Sequence, residues 1–293
     1  MLWILLTAAA APLQVARNAL QRGLVGDAGP WGATLVRFLF GLPFSIVMFA
    51  VVVVLTPDAA PQASWRFALA VMVGAITQIA ATGLLLLAMR QSGFAVATVM
   101  QQSSLPLGAL MGLVLLGDRL SGAAWIGVAV ATGGLVVLSW PRREDFRGGM
   151  AGALLGLGSG AAFGIALNSY RQAGLALDAQ HPIYSAMAAL VCAQAFQSVL
   201  LTAILAARDP RALKAVGASW RPSLGAGFFG SAASACWFAA LSLAPAGPVR
   251  AVGVIETPIA AAVGRRLFRE TPTPRQWIGG ALTGVGVVMT ALG

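Results

Sequence analysis

Residues 267–286 read LFRETPTPRQWIGGALTGVG, and 152 positions earlier residues 115–134 read LLGDRLSGAAWIGVAVATGG. The tripeptide WIG recurs in register, at 125–127 and 277–279, and Gly134 falls on Gly286. An acidic residue precedes each Trp, Asp118 in one copy and Glu270 in the other. Extended outward, residues 88–136 lie on 240–288 without a gap, pairing Pro106 with Pro258, Gly112 with Gly264 and Leu115 with Leu267. At an offset of 151, Gln21, Gly23, Leu24 and Asp27 meet Gln172, Gly174, Leu175 and Asp178. Ala/Gly-rich sequence produces chance agreement, so the Pro, Trp and acidic matches carry the weight. The chain is an internal duplication.

Each copy is built for lipid. The chain is 58% hydrophobic and only 10% charged, with a mean hydropathy of +0.83. Soluble domains carry about 25% charged residues, so this chain lacks the polar residues to coat a water-facing surface. A bilayer core needs roughly 20 apolar residues per helix. Charged and Pro/Gly punctuation divides the sequence into ten such segments: 2–21, 31–55, 66–89, 93–116, 122–140, 149–171, 182–207, 222–243, 246–267 and 276–292. The first lacks the basic start of a signal peptide and has a repeat partner, so it reads as a retained span.

The expected architecture is therefore an all-α membrane protein of ten transmembrane helices. Residues 1–140 form one five-helix repeat, 141–148 a charged linker, and 149–293 the second repeat. Five is odd, so the second repeat enters the membrane from the opposite side. Inverted-topology repeats are the arrangement of many secondary transporters, with the solute site near the midplane. Gly152, Gly156, Gly160 and Gly164 lay a smooth face along the sixth span, where another backbone can approach closely. Gly127, Gly133 and Gly134, and Gly279, Gly280, Gly284 and Gly286, promise the same for spans five and ten.

The two quoted stretches resemble the paired ends of the EamA-type domains of the drug/metabolite transporter superfamily, where an acidic residue precedes a Gly-rich fifth span. QQSSLPLGAL (101–110) and VIETPIAAAV (254–263), each with a proline beside polar residues, match the helices before them. The resemblance covers nearly the whole chain. It implies a ten-helix carrier of small metabolites in a bacterial-type inner membrane. Amino-acid exporters, including exporters of aromatic amino acids, are among such carriers.

The net charge of +10 does not point to nucleic acid, because the basic residues lie in short gaps between apolar runs, where they meet anionic lipid headgroups. Thirteen Lys and Arg fall in the gaps or at the adjoining span ends on one side, and three on the other. The positive-inside rule then places both termini outside, whereas the resemblance implies cytoplasmic termini. The charge count is the reading favoured here. Cys192 and Cys236 lie in apolar runs and read as buried small hydrophobes. His181 is the only histidine, so no metal site is expected. No nucleotide-binding loop or cofactor motif is present either.

Four charges interrupt the spans: Arg17, Arg37, Arg250 and Glu256. Each is costly near mid-helix, roughly 2.5–3.5 kcal/mol on insertion scales, so each faces a watery cavity or a partner, or snorkels to the surface. The repeat sets Arg17 against Asn168, Arg250 against Thr98 and Glu256 against Ser104. The charges are asymmetric additions to a symmetric frame. Six residues apart on one helix, Arg250 and Glu256 differ by about 240° and about 9 Å. They are not expected to pair directly.

Neutral polar residues complete the candidate site. Span one carries Gln14, Arg17, Asn18 and Gln21 on one face. Gln78 and Thr82 lie four apart on span three, Gln101, Gln102 and Ser103 precede Pro106 on span four, and Phe163, Asn168 and Trp237 lie on spans six and eight. Interhelical hydrogen bonding explains any one of these; together they outline a polar cavity. Pro106 and Pro258 mark helix breaks, since each lacks the amide for the carbonyl one turn back, expected to free the Gln102 and Val254 oxygens.

The leading expectation is a secondary transporter that exports amino acids or similar metabolites by alternating access. Asn18, Gln78, Gln101 and Gln102 would bond the solute, Arg250 its carboxylate, and Glu256 an ammonium group or a coupling proton. The alternative is a proton-coupled exporter of lipophilic cations centred on Glu256. An intramembrane enzyme built on the GSG at 158–160 is the weakest reading. The expected partners are a small solute and the bilayer; monomer and homo-oligomer both remain open.

Overall fold

A computed structural model describes residues 1–92, 97, 100–139, 146–256, 259, 262–263 and 274–292. The chain is an all-α membrane protein, and the described residues contain no strand. The helices are α1 (Leu2–Leu39), α2 (Leu42–Leu55), α3 (Trp65–Ser92), α4 (Ser104–Met111), α5 (Gly122–Ser139), α6 (Phe146–Leu177), α7 (Pro182–Arg208), α8 (Pro210–Ala218), α9 (Trp220–Leu243), α10 (Ala246–Gly253) and α11 (Pro274–Leu292). Of the expected linker, residues 141–145 lie outside the described residues, as do Thr98, Trp140, Pro258, Gly264 and Glu270.

The first expected span and the start of the second form one helical element, α1, bent at Gly29, and α2 completes the second. Gly29 has φ 67° and ψ 173°, a conformation essentially restricted to glycine. Pro30 follows at once and starts the second limb with its fixed φ. The first span was expected to end at residue 21; the helix continues to the bend because RGLVGDA holds no proline and its glycines weaken a helix without breaking it. Gln21 then reaches past the turn, its Nε2 donating to the Ala33 carbonyl at 2.7 Å.

Two compact units emerge, and neither is a sequence repeat. The first comprises Met1–Ile79 and Ser169–Ala244; the second comprises Ala80–Asn168 and Pro245–Gly293. Each therefore draws on both halves of the duplication.

In the first unit α1 packs on α7, α8 and α9, and α2 on α7 and α9. Close approach is made by small residues. A Cβ on Gly227 of α9 would lie 2.5 Å from the Phe40 carbonyl carbon and 2.8 Å from the Gly41 nitrogen. Ser231, one turn on, donates to the Gly41 carbonyl at 2.7 Å. Gly74 of α3 leaves room for the Tyr170 ring, which stacks on Phe238 with centroids 4.0 Å apart.

In the second unit α5 and α11 pack antiparallel through their glycines. A Cβ on Gly127 would lie 2.7 Å from the Gly286 oxygen, and one on Gly134 2.8 Å from the Gly279 oxygen. Gly127 is the repeat partner of Gly279, and Gly134 of Gly286. Each glycine thus meets the counterpart of the other, the signature of a two-fold relation between inverted copies. Gly133 and Gly284 are different: nothing lies within 4 Å of either Cβ position, so they are not packing glycines. The ladder on α6 does pack. Gly152 abuts Ser92, Gly156 abuts Met100, Gly160 abuts Gln101 and Ser104, and Gly164 abuts Leu107 and Gly108. A core of Leu105, Ala109, Val128, Ala131, Leu135, Ala251 and Val254 joins α4, α5 and α10.

The cysteines are free, but Cys192 is exposed and Cys236 half-buried, so neither is the fully buried residue expected from its apolar run.

Candidate functional site

Spans four and nine are both interrupted, at equivalent places. The first breaks helical form at Gln102–Ser103, and the second at Val254–Ile255. These pairs are 152 residues apart, the repeat offset. The proline expectation located the first break but mistook its chemistry. Pro106 cannot donate to the Gln102 carbonyl, yet that oxygen is not free: Leu105 N–H donates to it at 2.9 Å. The chain tightens to an i→i+3 turn and takes up the acceptor. The second break tightens alike, Val254 N–H to the Ala251 carbonyl at 3.1 Å and Ile255 N–H to the Val252 carbonyl at 3.2 Å. Pro258 lies outside the described residues.

The break overturns the expectation that Arg250 and Glu256 cannot pair. Arg250 Nη1 lies 3.7 Å from Glu256 Oε2, and the two side chains are 4% and 0% exposed. An unbroken helix would point them apart; the turn at Val254–Ile255 resets the phase between them. Arg250 also reaches the other interrupted helix. Its Nε donates to Ser104 Oγ at 2.7 Å, and its Nη2 donates to Gln102 Oε1. Ser104 is the repeat partner of Glu256, so one guanidinium engages both a carboxylate and that carboxylate's symmetry counterpart. This cluster, in the second unit, holds one cation, one anion and neutral hydrogen-bonding groups away from water.

Next to it, Gln101 Oε1, Gln102 Nε2 and Ser103 Oγ have no hydrogen-bond partner among the described residues. Buried polar atoms are normally satisfied, so this turn retains unused donor and acceptor capacity. Asn168 is buried, its Nδ2 donating to the Gly108 carbonyl at 3.0 Å and the Gly164 carbonyl at 2.9 Å. It joins α6 to α4. Phe163 and Thr82 are also buried in this unit. Ser159 Oγ donates to the Ala81 carbonyl at 2.7 Å, which engages the hydroxyl that a serine-enzyme reading would need.

The remaining expected residues lie in the first unit. Gln14, Arg17, Asn18 and Gln21 are all buried, as one polar stripe requires. Asn18 Oδ1 accepts from Arg17 Nε at 3.1 Å. Trp237 Nε1 donates to Gln14 Oε1 at 2.9 Å. Gln78 Oε1 accepts from Tyr170 Oη at 2.9 Å and from Gln197 Nε2 at 2.8 Å. Gln197 Nε2 also donates to the Ala75 carbonyl at 3.0 Å. Gln78 is thus a link in a clamp joining α3, α6 and α7.

Arg37 does not snorkel. It is 2% exposed, its Nη2 donates to Ser234 Oγ at 3.2 Å, and its guanidinium lies 5.1 Å from the Phe38 ring centroid. A Cβ on Gly230 would touch the stems of both Arg37 and Arg17, at 3.1 and 3.3 Å. Glycine there admits two long basic side chains side by side. Arg17, Arg37, Tyr170 and Gln197 are the residues sequence reasoning underweighted. Depth in an apolar span was the signal for the arginines; only partner geometry picks out the others.

A family model, that of the EamA-like transporter family, matches residues 1–140 and 150–292. The chain belongs to the EamA-like transporter family. It is accordingly a multi-pass membrane transporter of small molecules. No curated protein matches it. Chains of solved structures do match, 27 in all. One of these, described only as a crystal structure of a protein, is 19% identical, with a TM-score of 0.66 over 99% of this chain and 96% of that chain. At that identity the likeness concerns the fold. The family model matches the chain twice, once in each half of the duplication.

Proposed function

We propose that this transporter exports amino acids or similar small metabolites across a bacterial-type inner membrane by alternating access, as a secondary carrier. The observation that carries the reading is the buried Arg250–Glu256 pair at a helix break, bonded to Ser104 and Gln102 of the equivalent break. Broken helices at inverted repeats are where such carriers hold solutes.

An amino acid presents a carboxylate and an ammonium group a few ångströms apart. Arg250 is the counter-ion for the first and Glu256 for the second, so the zwitterion replaces an internal pair by two external ones. Gln101, Gln102 and Ser103 supply neutral hydrogen bonds, and a proton on Glu256 takes the ammonium's place on the return step. Thr82, Phe163 and Asn168, buried in the same unit, complete its proposed set of solute and positioning residues, and Asn18, Gln78 and Trp237 are proposed as the solute and positioning residues of the first unit. A lipophilic cation alone would leave Arg250 uncompensated, which favours the zwitterion over a cationic drug.

The test is uptake of labelled neutral amino acids by proteoliposomes holding the purified chain. Wild type is expected to transport, with Glu256→Gln and Arg250→Ala each slowed at least tenfold. Wild-type rates in both variants overturn the assignment, and uptake confined to lipophilic cations shifts it to the alternative substrate class.

A further inference from the structure

The connection between α7 and α9 holds a helix of its own, α8, which hydropathy reading treats as a gap. Its sequence context is RDPRALKAVGASWR, residues 208–221. Asp209 caps it, its Oδ1 accepting the Ala212 N–H at 3.0 Å, with Pro210 at the first helical position. Ala212 and Val216, four apart, are buried on α1. Gly32 makes the space: a Cβ there would lie 3.3 Å from Val216 Cγ2 and 3.7 Å from Ala212 Cβ.

The apolar Ala212–Val216 face is thus covered by protein, and every basic residue of the stretch is uncovered. Arg208, Arg211, Lys214 and Arg221 are all exposed. Asp209 is the only acid in the stretch, and the cap engages it. Trp220 is 49% exposed, with the Arg221 guanidinium 5.3 Å from its ring centroid. Both flanking helices are long and apolar enough to cross the membrane, so α8 lies at a membrane surface. Exposed cations beside an aromatic ring at that depth suit phosphate-bearing headgroups.

We infer that α8 with Arg208 and Arg221 is a binding surface for anionic phospholipid headgroups. Its seat on Gly32, three residues past the Gly29 bend, means that lipid held at α8 braces the turn between the first two membrane-crossing limbs. The consequence is a protein whose stability rises with the anionic lipid content around it. This inference does not depend on which solute is carried.

The experiment is thermal unfolding of the full chain in detergent micelles containing phosphatidylglycerol or phosphatidylcholine. Phosphatidylglycerol is expected to raise Tm, phosphatidylcholine to leave it unchanged, and high salt to erase the gain. Arg211→Glu combined with Lys214→Glu is expected to lose most of the gain, and Arg211→Lys combined with Lys214→Arg to keep it. Arg211→Gln with Lys214→Gln replaces the reversed pair if that pair does not fold. An undiminished gain in the reversed or neutral pair overturns the inference. So does an equal gain from soluble glycerol phosphate, which identifies a free-anion site instead of a lipid one.

Discussion

Arg250 Nη1 stands 3.7 Å from Glu256 Oε2 across the break at Val254–Ile255. Removing one member of a buried pair leaves the other charge uncompensated, a loss of about 3–5 kcal/mol. Glu256→Gln and Arg250→Met are each expected to destabilise the protein by that order. The double variant is expected to recover most of the stability, because two neutral side chains need no counter-ion. Transport should not recover with it. Unfolding midpoints and proteoliposome uptake, measured on the three variants together, separate the structural part of the pair from its part in solute recognition.

The glycines of α5 offer a contrast within a single helix. A Cβ at Gly134 would lie 2.5 Å from the Thr283 nitrogen and 2.8 Å from the Gly279 carbonyl oxygen, both backbone atoms that cannot swing aside. At the adjacent Gly133 nothing lies within 4 Å. Gly134→Val is expected to lower Tm sharply, by an overpacking loss of about 1–3 kcal/mol or more. Gly133→Val is expected to change it little. Thermal unfolding in one detergent decides; equal effects would mean that the α5–α11 contact does not set the stability.

Asp178, in the connection between α6 and α7, makes a compact latch. Its Oδ2 accepts the Ala60 N–H at 3.0 Å and pairs with His181 Nδ1 at 3.0 Å, and its Oδ1 accepts the N–H groups of Gln180 and His181. Desolvation opposes ionisation, but the hydrogen bonds from His181, Ala60 and Gln180 outweigh it and hold the carboxyl below the ordinary 3.8. A lowered folded-state pKa stabilises the protein above the unfolded value, and that stabilisation is lost as pH falls through the folded one. Tm is therefore expected to drop as pH falls below 3.8. Asp178→Asn should flatten that part of the profile, which a pH series of melting curves reads directly.

The distribution of charge makes an expectation about orientation. With thirteen basic residues in the gaps and adjoining span ends of one side and three on the other, the positive-inside rule puts the C-terminus outside. A reporter enzyme that works only in the cytoplasm, fused after Gly293, is expected to be inactive. An active fusion reverses the assignment of sides.

Much of this architecture was legible because lipid restricts the options. Ten apolar segments and a duplicated WIG motif were enough to expect an inverted helical repeat, since only helices satisfy their own backbone in segments of that length. The buried stripe of Gln14, Arg17, Asn18 and Gln21 followed from spacing alone. What misled was ideal helix geometry between the charges, which separated Arg250 from Glu256, and the assumption that a proline break leaves its acceptor free, which left the Gln102 carbonyl unbonded. A local i→i+3 turn changes both. The assumption that polar stretches are loops shortened the first span and hid α8, whose Ala212–Val216 face is meaningful only once Gly32 of α1 stands beside it.

The sequence by itself determined the class, the duplication and the depth of the charged residues, because each is a matter of transfer from water and of periodicity along one chain. Only the tertiary structure decided the partners: Arg250 with Glu256, Ser104 and Gln102, Gln78 with Tyr170 and Gln197, Trp237 with Gln14. Partner choice depends on angstrom-scale phase between helices, and a single broken turn resets that phase. Hydropathy and spacing record how deep a residue lies and which way an ideal helix would turn it, but not where the helix departs from the ideal.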